Sequence, residues 1–399
     1  MEPLHKVRYR WVVLSAYMIV TILSFMSWLT FASIETITET RFQLPNHIVV
    51  WLTHIFILSA FLLAIPSGKM IDRWGYKNGV GIGVLLMGIF ALFRLLNTHS
   101  FLILLISQAG IALGQPIILN GINKLVVSWF PREEHATAIG LGMISIVIGD
   151  ALALGLTPHL VTHFSFEFML YVYSIAITVG SLLFMILTKS QPHEIKITEN
   201  PSIWSEVKEI SKFKNYNLSV ILYLTSISII VFFLTYFEKM LNELHGLSAT
   251  TIGNLSVVFM LFSVIGGIIV PIFSDKAKNR KIFLVSSFIL LVPSIILFLY
   301  TNNFLWLTVS TSLAGFFLSA TQPLIFTISA ETLEPKYAGV SVGYLQFTSN
   351  GAALFFVPIM AGLRSLSGSF TIPLLAVLLT VFIAIFAAAK IEDTFANDS

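Results

Sequence analysis

Gly68-Lys-Met-Ile-Asp72-Arg73-Trp-Gly75-Tyr-Lys77 puts two glycines, one carboxylate and three cations into ten residues of a chain that is otherwise almost free of charge. The glycines permit a tight turn, and Asp72 suits either a helix N-terminus or a pairing with Arg73. On either side lie apolar runs, 48–70 and 78–96, each about the 20 residues needed to cross the hydrocarbon core of a bilayer. The motif therefore reads as a charged turn between two membrane spans, with Gly68, Asp72, Arg73, Gly75 and Lys77 as gating candidates.

The rest of the chain agrees. Of its 399 residues 56% are hydrophobic and only 11% are charged, against about 25% charged in a soluble domain. Mean hydropathy is +0.88. Too little polar surface remains to wrap a water-soluble globule, and cytosolic enzymes are excluded on that ground. Twenty-three Lys and Arg against 20 Asp and Glu leave a charge of +3, far too small for an electrostatic nucleic-acid binder. With no cysteine, thiolate metal sites and cysteine nucleophiles are also excluded.

Reading outward from the loop gives twelve apolar runs, at 11–34, 48–70, 78–96, 101–129, 136–159, 167–188, 216–237, 250–273, 282–300, 304–330, 338–362 and 370–389. At about 33 residues per span and loop, no soluble domain fits between them. Arg8 and Arg10 lead into the first run with no small-residue cleavage site, so it reads as an uncleaved span. Eighteen Lys and Arg fall on the side of the N-terminus and three (Arg41, Lys239, Arg364) on the other, which predicts both termini in the cytoplasm.

The longest polar stretch, 189–215, carries Pro192 and Pro201 and predicts a cytoplasmic linker with a short surface helix near 205–212. It divides the chain into an N-terminal six-helix bundle, 1–188, and a C-terminal one, 216–399, with a short tail. The halves echo each other: Asp275-Lys276 follows the eighth span as Asp72-Arg73 follows the second, 203 residues earlier. Gln115-Pro116 and Gln322-Pro323 lie 207 residues apart in the fourth and tenth spans. Parallel duplicated halves are a transporter architecture, and Asp275 joins the gating candidates.

The string G-x-x-x-D-R-x-G-x-K at the loop between spans two and three, with its degenerate echo between eight and nine, resembles the signature of the major facilitator superfamily. Trp129-Phe-Pro-Arg-Glu-Glu134 is a second superfamily-like feature. The resemblance covers all twelve spans and implies an all-α integral membrane protein of two six-helix halves that moves a solute by alternating access.

Polar side chains inside a membrane are costly and rarely face lipid. The third, sixth, ninth and twelfth spans are bland, which predicts an outer ring with the other eight around a polar path. The substrate-cavity candidates are Trp28, Gln115, Asn120, Asn123, Tyr223, Gln322, Gln346 and Asn350. Asp150 lies 14 residues from the inner start of its span, roughly 21 Å deep, at the level of Gln115. Asp150 and Lys124 are the coupling candidates, for a proton or cation, against a reading of Asp150 as a packing residue held by Gln115. His54 reads equally as cavity rim or core hydrogen bond, while Glu35 and Arg94 read as interface anchors. The Gln-Pro pairs read as functional breaks that free a backbone carbonyl, or as inherited kinks. Gly142, Gly149 and Gly155 read as close-packing positions.

Within the superfamily, several stretches are similar to the FLVCR-type carriers, associated with haem, choline and ethanolamine transport. They are Phe25-Met-Ser-Trp28-Leu-Thr-Phe31, Leu113-Gly-Gln-Pro-Ile-Ile-Leu119, Val127-Ser-Trp-Phe-Pro-Arg-Glu-Glu134, Ala314-Gly-Phe-Phe317, Ala330-Glu-Thr-Leu-Glu-Pro335 and Gly343-Tyr-Leu-Gln-Phe-Thr-Ser-Asn350. The resemblance implies that Trp28 is the aromatic residue facing the ligand, a role that cation–π contact with an ammonium makes physical sense of. The family's polar position in span eleven, usually Gln, falls on Asn350. Its span-five Gln has no counterpart, because Gly149-Asp150 stands there.

The expected function is facilitative or secondary active transport of a small neutral, zwitterionic or cationic organic solute by a monomer. No cofactor, metal or nucleic acid is expected. A drug/proton antiporter of the same superfamily is the alternative, although its span-five pattern G-x-x-x-G-P-x-x-G-G is missing from 142–158. A membrane enzyme would need a catalytic cluster, and the nine histidines are scattered; a receptor would need more than the tail after Ile391. Neither a Walker sequence nor an outer N-x-[ST] sequon is found, which points to a bacterial plasma membrane and a driving force other than ATP.

Overall fold

The computed structural model describes residues 4–190 and 202–395, and these are helical nearly throughout. The first span forms the helix Leu4–Leu29. The second and third lie in one continuous run, Trp51–Phe93, which breaks sharply at Gly75. That residue has φ 80° and ψ 168°, a conformation that a side chain would make costly. The fourth to sixth spans are Phe101–Trp129, His135–His163 and Phe166–Leu187. The seventh to twelfth are Lys214–His245, Ala249–Ala277, Arg280–Tyr300, Phe304–Thr332, Ala338–Ser367 and Thr371–Ala389.

Ten stretches among the described residues are long and apolar enough to cross a membrane, and one of them, Asn46–Phe93, holds two expected spans. The eleventh span adds a 30-residue helix. Between the sixth and seventh spans, Ile203–Ile210 is the short helix expected in the polar stretch. Pro192, Lys196 and Pro201 lie outside the described residues.

The chain folds as two compact units. The first gathers Met1–Phe130, Leu141–Val207 and Pro335–Tyr344; the second gathers Pro131–Gly140, Lys208–Glu334 and Leu345–Ser399. In the first, Phe31, Leu52, Leu104, Phe166 and Met169 pack into one apolar cluster. In the second, Phe232, Phe233, Phe237, Phe259 and Phe298 form an aromatic one. The four bland spans present apolar faces outward: Leu85, Ile89 and Leu92; Ile175, Val179 and Ile186; Ile282, Ile289 and Ile296; Leu375, Leu379 and Phe386. Apolar side chains exposed in such number have no place in water, and they suit a helix facing lipid.

Candidate functional site

Two buried carboxylates organise the ends of the units, and each does so at a helix N-terminus. In the first unit, Asp72 accepts hydrogen bonds from the N–H groups of Gly339 and Val340, both at 2.8 Å. These open the helix Ala338–Ser367, whose first-turn donors have no partner within the helix and whose dipole favours an anion. Of the two roles read from the sequence, Asp72 takes the helix N-terminus. Arg73 stays exposed, and the cation facing Asp72 is Lys124, at 3.5 Å. Lys124 also donates to the carbonyl of Pro335 at 2.9 Å. Gly68 makes the approach possible, since a Cβ there would lie 2.2 Å from the carbonyl oxygen of Gly339. Lys77 is half-buried at the far end of the loop.

In the second unit Asp275 does the same for the helix His135–His163. It accepts from the N–H groups of Ala136 at 3.2 Å and Thr137 at 2.6 Å, and from the Thr137 hydroxyl at 2.5 Å. Its counter-ion is the fully buried Arg280, at 2.5 Å, which reaches Glu331 at 3.0 Å on its other side. Sequence reasoning missed Arg280 and Glu331. Glu331 lies 207 residues after Lys124, the interval that separates the two Gln-Pro pairs, and that spacing was the available signal.

Deeper in the first unit, a polar layer follows from helix register. Gln108 donates to the carbonyl of Ser27 at 3.2 Å, and Gly142 abuts both Ile122 and Tyr17. The fourth span runs antiparallel to the first, so these contacts place Gln115 opposite residues 20–24. Gly149 lies against Ile22, Phe25 and Met26, which brings Asp150 to the same level. Ser24, Gln115 and Asp150 therefore lie at one level and Trp28 follows one turn on from Ser24, so the four span a layer about two turns thick contributed by three helices. In it Ser24 Oγ, Trp28 Nε1, Gln115 Nε2 and one oxygen of Asp150 are buried without a hydrogen-bond partner. Trp28 meets Phe25 edge to face, with ring centroids 5.9 Å apart. Gln115 and Asp150 share the layer but not a hydrogen bond. Buried polar atoms in proteins are almost always paired, so four orphans in one layer call for a functional explanation.

The other candidates separate by what they touch. Asn120 holds the second span to the fourth, donating to the carbonyl of Ala64 at 2.5 Å and to the Ser67 hydroxyl at 2.8 Å. Asn123 is fully buried. In the second unit Tyr223 hydrogen-bonds to Gln346 and packs edge to face on Phe326 at 5.0 Å. Gln322 is half-buried and Asn350 exposed.

Several sequence expectations need correcting. Arg94 does not reach an interface: it is 1% exposed and donates to Ser174 Oγ at 2.7 Å, held by the neighbouring sixth span. His54 makes no core hydrogen bond across helices, being exposed with Nδ1 2.9 Å from its own helix's Val50 carbonyl. Gly155 has nothing within 4 Å of an added Cβ and is not a packing position. The carbonyl freed by Pro116, that of Ala112, is taken by the Ser59 hydroxyl at 2.8 Å, so this kink is satisfied within the protein.

The helices and their two capped ends define a polytopic membrane protein built as a duplicated bundle. The chain belongs to the Major Facilitator Superfamily, whose family model matches residues 17–358 and 217–394. It is 21% identical over 386 residues to the uncharacterized MFS-type transporter C09D4.1 of Caenorhabditis elegans, covering 91% of this chain and 66% of that protein. It is 21% identical to the choline/ethanolamine transporter FLVCR2 of Rattus norvegicus, covering 87% of this chain and 68% of that one. Identity with the hexuronate transporter of Bacillus subtilis is 24%, covering 82% and 80%. Thus the chain spans about two thirds of the length of the nematode and rat relatives. Among solved structures, the fold matches that of FucP in the outward conformation with a TM-score of 0.74 at 15% identity, over 94% of this chain and 99% of that one.

Proposed function

We propose that this chain carries a small organic cation or zwitterion across the cell membrane, with both termini in the cytoplasm, as a monomer of two six-span halves. The observation that supports this reading is the layer of Ser24, Trp28, Gln115 and Asp150, whose polar atoms are buried and unpartnered and include a carboxylate. An aromatic face beside a carboxylate favours an ammonium group, with the Gln115 amide and Ser24 hydroxyl left for a neutral or anionic end.

Similarity to choline/ethanolamine transporters supports the same class. The hexuronate relative argues for an anionic sugar, but among the described residues no cation is found in the layer to meet one, and Lys124 is engaged by Asp72 and Pro335. The Asp72 and Asp275 caps serve as gates in this reading, because hydrogen bonds to a helix end can break and re-form without disturbing a packed core. Asp150, near mid-depth, is the group whose proton could be coupled to transport.

A thermal-shift series on the purified protein tests the substrate class. Choline or ethanolamine should raise the melting temperature in a saturable way, and glucuronate should not. Stabilisation by glucuronate alone would overturn the assignment.

A further inference from the structure

The segment after the last helix bridges the beginnings and ends of four helices of the second unit. Ile391 is fully buried and anchors it. Beyond it, Glu392 pairs with Lys214 at 2.8 Å and exchanges backbone hydrogen bonds with the Asn215 side chain, at 2.8 and 3.0 Å. The Asp393 carboxylate accepts the N–H of Lys281 at 2.9 Å, capping the helix Arg280–Tyr300. The Thr394 hydroxyl donates to Glu331, and the Thr394 carbonyl accepts from Arg132. The Phe395 ring lies under two guanidiniums, that of Arg280 at 4.6 Å and that of Arg132 at 5.3 Å.

These partners belong to the Asp275 cap. Arg280 is the counter-ion of Asp275, and Arg132, three residues before the helix His135–His163, also gives its carbonyl to Arg280 at 2.9 Å. A cavity of about 390 Å³ lies beside the segment, lined by Arg132, Lys214, Asn215, Glu331, Glu392 and Thr394 among others. Release of 392–395 therefore breaks polar and cation–π contacts and little apolar packing.

We propose that residues 392–395 form a strap that holds Arg132 and Arg280 in place and so sets how readily the Asp275 cap opens. Thr394 and Phe395 are its positioning residues: they act on the gate through the two arginines and touch no substrate. The proposal rests on the reading of Asp275 as a gate.

The chain contains no cysteine, so one introduced thiol reports alone. Ala138→Cys places that thiol at a fully buried position one residue after Thr137. Its rate of modification by a maleimide, measured on the full chain without substrate, follows opening of the cap. Phe395→Ala and Thr394→Val should each speed labelling by about threefold or more, and Phe395→Trp, which keeps an aromatic face, should leave it near the starting rate. Melting temperatures of the variants within a degree or two of the starting protein, read alongside, separate release of the strap from loss of structure. Asp275→Asn is the reference and should also speed labelling. Unchanged rates in both strap variants beside a faster Asp275→Asn overturn the strap and leave the gate standing. No acceleration in Asp275→Asn overturns the gate reading, and the strap with it.

Discussion

Lys124 and Glu331 stand 207 residues apart at equivalent places in the two halves, and they carry opposite charges. Lys124 faces the Asp72 carboxylate at 3.5 Å, whereas Glu331 joins Asp275 in holding Arg280 between two carboxylates. In each unit an aspartate caps a helix, but the balance of charge around it differs. The first cap depends on one cation. The second has an arginine shared between two acids.

That difference gives the first prediction. Lys124→Met leaves the Asp72 carboxylate buried without its cation and should destabilise the protein by about 3–5 kcal/mol, the usual result of removing one partner of a buried pair. The double variant Asp72→Asn/Lys124→Met should recover much of the loss. Glu331→Gln should cost less, since Arg280 keeps Asp275. Thermal unfolding of the purified variants gives all three values, and additive losses in the double variant would show that the pair does not interact.

Asp72→Ala should reduce transport severely while the protein still inserts and purifies. The variant removes both acceptors of the Gly339 and Val340 N–H groups, so the helix Ala338–Ser367 loses its cap. Wild-type uptake by this variant would refute a gating role for the loop.

Trp28→Ala should weaken binding of an ammonium substrate by several-fold more than Trp28→Phe does, given about 0.5–2 kcal/mol for a cation on an aromatic face. Superimposable binding isotherms for wild type and Trp28→Ala would make the residue a packing element.

Asp150→Asn should flatten the pH dependence of net uptake between about pH 5.5 and 8, with substrate exchange surviving better than accumulation. A carboxylate in this layer is costly when ionised and unpartnered, so its protonation should follow hydration of the path. A well-folded Asp150→Asn protein with the wild-type pH profile would leave a uniporter driven by the substrate gradient.

The spans were legible because a bilayer imposes long apolar runs. Gly75 was legible because a tight turn needs φ above zero. The partner of Asp72 was not. Its donors are backbone N–H groups 267 and 268 residues away, and a backbone donor has no signature in the sequence. Arg94 misled for a related reason: its position near a helix end suggested an interface, while Ser174, 80 residues away, holds it in the interior. The fate of the carbonyl behind Pro116 depended on Ser59 of another helix. Local pattern gives the elements and their polarity; which groups satisfy one another across helices is set by packing.

Passage of a small organic cation or zwitterion across the membrane is what this chain should support. Counter-flow of radiolabelled choline or ethanolamine into proteoliposomes preloaded with the same unlabelled compound tests it most directly. Uptake above that of protein-free vesicles should be saturable, reduced in Trp28→Ala and nearly lost in Asp72→Ala. Absence of choline and ethanolamine counter-flow, in vesicles where the same protein exchanges glucuronate, would contradict it.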